Sequence, residues 1–295
     1  MSGGAAGPGE APVGPPGYVV VVAESDPVAV RVAARWGVPP ATGVRVDGSP
    51  LRRLSARALL LRRPGPHVTD DRLDERFPSA LRATGPTLLF PSVHRSEREV
   101  ACLTVHPLGN PGPTAGIGGA PRSFTPADAR LMAAALRRLE EGRDRTGVPA
   151  TYEATHHGPL LGVPAAFVEI GYASAPEPPG EAVRLLAEVL PELDPAPDDR
   201  VALAVGGGHY APHFTELALR RRWAFGHLLS RHALDGLSAE TARDAYRTTG
   251  GADGVVFARA QDVDHPAFAG WALRRRDGEA PRRGGAAPIP AASGT

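Results

Sequence analysis

Ten histidines are scattered through the 295 residues, and several stand where an apolar run gives way to a glycine- or proline-rich turn. Thr87–Pro91 leads into Ser92, Val93 and His94; the run 99–106 finishes at His106, followed by Pro107, Leu108, Gly109 and Asn110. The run 150–156 carries Glu153 and reaches His156 and His157 before Gly158 and Pro159, and 201–205 opens into Gly206, Gly207, Gly208, His209 and Tyr210. Glu169 sits inside the apolar stretch Phe167-Val168-Glu169-Ile170-Gly171. Neutral imidazole is a good zinc ligand and titrates near physiological pH. A carboxylate in an apolar strand needs a partner or an ion, because a lone buried charge is costly. Convergent histidines with a carboxylate therefore suit either a zinc centre or general acid/base work. The expected metal ligands are His94, His106, His156, His209 and Glu169, and the expected catalytic groups are His106, His156, His157, His209, Glu153 and Glu169.

Each of these residues taken alone has a bland reading as a hydrogen-bonded structural residue, and only the repetition at strand ends favours a site. On an extended strand His156 and His157 would face opposite ways, so both enter one site only if the turn at Gly158-Pro159 begins early. The glycines 206–208 could offer backbone amides to a carboxylate or phosphate, with Tyr210 as a further substrate contact, but the glycines equally suit a tight turn. They lack the lysine and spacing of a P-loop and do not follow the dinucleotide fingerprint. Asn110 is the sole asparagine of a chain that contains no lysine, and such a survivor is a candidate substrate contact. Asp26 and Glu216 read as helix-terminus residues, and His213, His227 and His232 as packing or surface residues of a helical stretch.

These side chains require a scaffold of short buried strands. Tyr18–Ala23 reads as a strand and Asp26-Pro27 as the start of a helix running to Trp36, since proline suits the first helical turn. Further strands are expected at 57–61, 87–91, 99–106, 150–156, 165–171, 201–205 and 254–259, and helices at 125–141, 180–190, 213–231 and 238–247. Their alternation predicts an α/β fold, a mixed sheet with helices on both faces, whose strand ends form the ligand crevice. Residues 18–276 are expected to form a single α/β domain. The segments 1–17 and 277–295 are rich in Gly, Pro and Ala without periodicity and are expected to be a disordered leader and tail. No apolar run approaches the roughly 20 residues of a membrane helix, and no secretory signal opens the chain, which together suggest a cytoplasmic protein. The lone Cys102 can form no internal disulfide.

A formal charge of +1 is no signature of a nucleic-acid binder, although Arg220–Arg222, Arg274–Arg276 and Arg282-Arg283 are local clusters able to meet phosphates. The alternative for each cluster is a solvated surface.

The segments LTVHPLGN (103–110), GGAPRSF (118–124), YEATHHGP (152–159), FVEIG (167–171), GGGHYAPHFTELAL (206–219) and FGHLL (225–229) resemble the zinc-dependent D-aminoacyl-tRNA deacylases of archaea and plants, in order and spacing. The opening VVVVAESDPVAVRVA is similar too. Departures from the family pattern are Arg31 in place of an asparagine, Val93 before His94 where an arginine is common, and Tyr172 where a small hydroxyl residue is usual. The resemblance implies a fold like that of phosphorylases and peptidyl-tRNA hydrolases, a Zn2+ cofactor, and hydrolysis of the ester at the acceptor end of D-aminoacyl-tRNA by a monomer or homodimer. Within that scheme Arg122 is expected to meet the tRNA backbone, and Asn110 with Gly206, Gly207 and Gly208 the carbonyl or terminal phosphate. Two rivals remain open at this point: a metal-dependent peptidase or peptidyl-tRNA hydrolase, and a non-catalytic RNA-binding protein.

Overall fold

The computed structural model describes residues 17–94, 101–172 and 177–271. The expected disorder of the leader and of the 277–295 tail, and the arginine clusters at 274–276 and 282–283, lie outside the described residues.

The described residues contain thirteen strands in chain order: β1 (Tyr18–Ala23), β2 (Ala41–Val46), β3 (Ser49–Arg53), β4 (Ala58–Arg63), β5 (Thr87–His94), β6 (Cys102–Pro107), β7 (Gly109–Asn110), β8 (Ser123–Phe124), β9 (Ala150–Tyr152), β10 (Ala165–Gly171), β11 (Arg200–Val205), β12 (Trp223–Leu229) and β13 (Gly254–Phe257). Eight of them form one mixed sheet in the order β2-β3-β4-β1-β5-β10-β6-β9, and β12-β11-β13 form a second, parallel sheet. In the large sheet β4, β1, β5 and β10 run parallel, whereas β6 pairs antiparallel with β10 and carries β9 parallel to itself.

Strand alternation divides the core. Val20, Val22, Leu89, Leu103, Val105, Ala166, Val168 and Ile170 face a cluster filled by the helices Pro27–Ala34, Ala129–Glu141 and Gly180–Val189. Val19, Val21, Leu88, Phe90, Ala165 and Phe167 face the other way, toward Leu73, Phe77, Leu81, Leu161 and Val163 from short turns and loops. The sheet is thus flanked on both sides, but long helices cover only the first. Irregular chain on the second side leaves room for a cleft.

Helix starts follow ordinary capping chemistry. Asp26 Oδ1 accepts from the backbone of Val28 and Ala29, Asp128 caps Leu131 and Ser238 caps Thr241. Three sequence expectations need correction. The 213–231 segment is a helix only over Pro212–Arg220, after which Trp223–Leu229 is a fully buried strand, so apolar content there reflects a buried strand and not a helical face. The strand expected over 150–156 ends at Tyr152. The hairpin β2-β3, rich in Arg, Gly and Pro, was not anticipated.

Candidate active site

The rows that build the apolar side of the sheet become polar as they are followed along the strands. On β5 the row Leu88, Phe90 continues as Ser92 and His94; on β10 Ala165 and Phe167 continue as Glu169; on β6 the same face presents Thr104 and His106. Because side chains alternate with period two, residues two apart share a face. Register places Ser92 beside Glu169 and Thr104 on its other side, with His106 opposite Phe167. The site therefore lies on a face of the sheet. The expectation of a site along the carboxyl ends of the strands is corrected: β6 runs antiparallel to β5 and β10, so their ends point to opposite edges, and the shared face brings the side chains together.

His94 occupies the centre. Its Nδ1 lies 3.0 Å from Glu153 Oε1 and 3.2 Å from Glu169 Oε2, and its Nε2 lies 3.0 Å from the Tyr210 hydroxyl. Burial disfavours a charged imidazole here, but hydrogen bonds and proximity to both carboxylates outweigh it and hold the His94 pKa up to about 10. His106 is fully buried, with Nε2 3.7 Å from Glu169 Oε2 and its ring stacked on Phe167. Against the opposing penalty of burial, Glu169 and Glu153 raise its pKa as well. Glu169 is itself held well below the usual carboxylate range: burial works against its charge, and His106 and His94 prevail.

His156 and His157 come from the chain just beyond β9. His157 has a φ of 45°, so the turn does begin before Gly158 and both rings swing to the same side. Their centroids are 4.4 Å apart and lie 4.2 and 5.1 Å from that of His106. Both hold neutral imidazoles: burial, then the neighbouring His106, drives His156 well down and His157 to about 4. His209 arrives from the loop after β11. Backbone pairing of Ala154 with His209 and of Ala211 with Tyr152 sets that loop beside β9, and His209 Nε2 stands 3.6 Å from Glu153 Oε2. Burial lowers its pKa too.

Three groups of donor atoms lie within 4.8 Å of one another: His106, His156 and His157; His94, Glu153 and His209; and His106, Glu153 and Glu169. The five residues expected as ligands thus divide between adjoining sets, with His157 and Glu153 joining them. Among the described residues, His106 Nε2 and both oxygens of Glu153 are buried without a hydrogen-bond partner of good geometry. Buried polar atoms are rarely left so.

The cleft has a volume of about 370 Å³ and is lined by His94, His156, His157, His209 and Glu169. Asp26, His67 and Ser92 line it too, and the sequence expectations gave none of them a part in the site. Asp26, besides capping its helix, accepts through Oδ2 from Ser92 Oγ at 2.9 Å and from the Val93 amide at 3.0 Å, and Ser92 Oγ lies 3.1 Å from His67 Nε2. The alternation Leu88, Phe90, Ser92, His94 could have revealed Ser92; nothing local marks His67.

Other expected contacts take different places. Asn110 donates through Nδ2 to Gly118 O and does not line the cleft. The Gly206 amide donates to Leu229 O, and the glycine run opens the loop after β11 that carries His209; none of the three glycines lines the cleft. Arg122 is exposed, with a φ of 49°, away from the cleft lining. His227, expected on a helix, is buried in β12 with Nδ1 3.2 Å from Thr155 Oγ1.

Fold and site together define a mixed α/β protein with a buried polyhistidine and dicarboxylate centre set on one face of its sheet. The profile of the D-aminoacyl-tRNA deacylase family matches residues 83–266, which contain the whole histidine-carboxylate cluster. The chain belongs to the D-aminoacyl-tRNA deacylase family. Relatives of that name include proteins of Thermoplasma acidophilum, 36% identical over 58% of this chain and 67% of its own length, and Methanosphaerula palustris, 40% identical over 61% and 41%. A third, from Pyrococcus abyssi, is 36% identical over 65% of this chain and 71% of its own length. The chain thus spans from about two-fifths to about seven-tenths of these relatives. The crystal structure of a conserved protein of unknown function, AF0625, is 28% identical and superimposes with a TM-score of 0.73 over 86% of this chain and 90% of that one. Among the described residues no helix is long and apolar enough to cross a membrane.

Proposed function

We propose that this chain hydrolyses the ester of D-aminoacyl-tRNA, releasing the D-amino acid and tRNA, at the histidine-carboxylate face. The observation that carries the reading is the set of inward-facing His106, His156, His157, His94, Glu153 and His209, within the span that matches the family profile. The buried His106 Nε2 and Glu153 oxygens, near ionic partners but without a hydrogen bond of good geometry, fit a bound cation, and the nitrogen and carboxylate donors suit zinc. His106, His156 and His157 would hold one ion; His94, Glu153 and His209 form an adjoining set that Glu169 braces. When bound, zinc lowers the pKa of a coordinated water and polarises an ester carbonyl.

The chain's own groups do the remaining work. Glu153, reached by both His94 and His209, is positioned to accept a proton from the attacking water, a role worth about 10²–10⁴ in rate. Glu169 holds His94 and His106 through its Oε2. His209, with 46% of its side chain exposed, is the member of the cluster open to an incoming ester. The domain is taken as residues 18–276, since the second sheet supplies His209.

Hydrolysis of matched D- and L-aminoacyl-tRNAs, with and without chelator, tests the reading. Turnover of the D-ester that chelator abolishes and zinc restores is the expected result; salt-dependent tRNA binding without turnover would overturn it.

A further inference from the structure

The cleft is mixed in its chemistry. Besides the imidazoles, its lining includes the apolar residues Pro66, Val68 and Ile117. Ile117 is 56% exposed, one of two large apolar residues so exposed among the described residues, and the other, Val38, does not line the cleft. Scattered exposed apolar side chains need no explanation, but this one is held in place from several directions.

Its carbonyl accepts from the Gly158 amide, next to His157. The following Gly118 has a φ of 63°, and a Cβ there would lie 1.7 Å from Val68 O, so the two rim loops touch backbone to backbone. Asp71 Oδ1 accepts from both Gly119 and Leu160, and Asn110 Nδ2 donates to Gly118 O. Such pinning leaves the Ile117 side chain little freedom to fold back into the core, and fixes it beside the His156-His157 turn.

We infer that Ile117, with Pro66 and Val68, is the platform on which the terminal adenine base of the tRNA packs. This rests on the ester-hydrolysis reading above. An ester seated at carboxylates that are nearly inaccessible to solvent leaves the rest of the tRNA outside. The group that crosses the rim is then the terminal nucleoside, whose base lies one ribose away from the ester. Every base offers a flat apolar face that gains from leaving water.

The test is a two-by-two cycle on the full chain: wild type and Ile117→Ala, each assayed on D-aminoacyl-tRNA ending in adenosine or in an abasic terminal nucleotide. Wild-type turnover of the normal substrate checks the underlying reading independently. Ile117→Ala should raise KM for the normal substrate roughly 5–10-fold with kcat nearly unchanged, equally for D-alanyl and D-tyrosyl esters. The abasic substrate should lose a similar factor with wild type and gain no further penalty with the variant. A KM increase confined to large amino acids would overturn the inference by assigning the rim to the amino-acid side chain. Unchanged KM, or fully additive losses in the cycle, would overturn it too. Ile117→Leu, which preserves the apolar surface, should behave as wild type.

Discussion

Loading the site with a divalent metal should expel a proton from His94. Between Glu153 and Glu169 this imidazole has a pKa of about 10, so near pH 7 its Nδ1 carries a proton directed at the carboxylates. A ligand nitrogen must be unprotonated, so a metal that recruits His94 has to displace that proton. The gap of about three pH units costs about 4 kcal/mol at pH 7, at roughly 1.4 kcal/mol per unit. Zinc affinity at this set should therefore climb about tenfold per pH unit from pH 7 until it levels off near pH 10. His106, whose pKa is also raised, steepens the dependence if it ligates, whereas His156, His157 and His209 are neutral and add no proton release. The assay is calorimetric zinc titration of metal-free protein in buffers of different ionisation enthalpy, which counts protons directly. Between one and two protons should leave per chain. In Glu153→Gln one carboxylate that holds the His94 proton is gone, and release should fall. Zinc binding with no proton release and no pH dependence would refute the electrostatic reasoning.

His227 makes the opposite prediction for stability. Burial drives its pKa to about 3, well below its ordinary value, so the unfolded chain binds the proton more readily and stability is lost as pH falls below about 6.5. From pH 7 to pH 5 that one group should remove about 2 kcal/mol, read as the difference in denaturant unfolding between wild type and His227→Gln. A wild type and variant with the same pH dependence would contradict it. Glu153→Gln should lower kcat by about 10²–10⁴ while circular dichroism and the tRNA KM stay near wild type. Gly118→Ala must push its Cβ into Val68 O at a positive φ; it should cost about 1–3 kcal/mol by thermal unfolding and displace the cleft rim. Asp26→Ala loses a helix cap together with the Ser92 and Val93 contacts and should cost about 2 kcal/mol, more than a cap alone, by the same measurement.

By itself the sequence determined which residue types could do chemistry and most of the strands that carry them. His94, His106, Glu153, His156, His157, Glu169 and His209 are legible as polar groups where apolar runs break, since an apolar run of that length seeks a core and a polar residue within or beside it needs a reason. The motifs around them also carried the family resemblance. Tertiary structure decided how they meet. Whether His156 and His157 share a site depended on where β9 ends, and the pairing of 152–154 with 209–211, a long-range contact, fixed that end. Direction of β6 against β10 decided that the site lies on a face of the sheet, because hydrogen-bond partners across a sheet are not written in local periodicity. Asn110 and Gly206 read as binding groups in the sequence, whereas in the fold the Asn110 side chain donates to Gly118 O and the Gly206 amide to Leu229 O. Those partners are distant in the chain or supplied by the backbone. His67 and Ile117 stood in no motif, and only the packing of three loops placed them at the cleft.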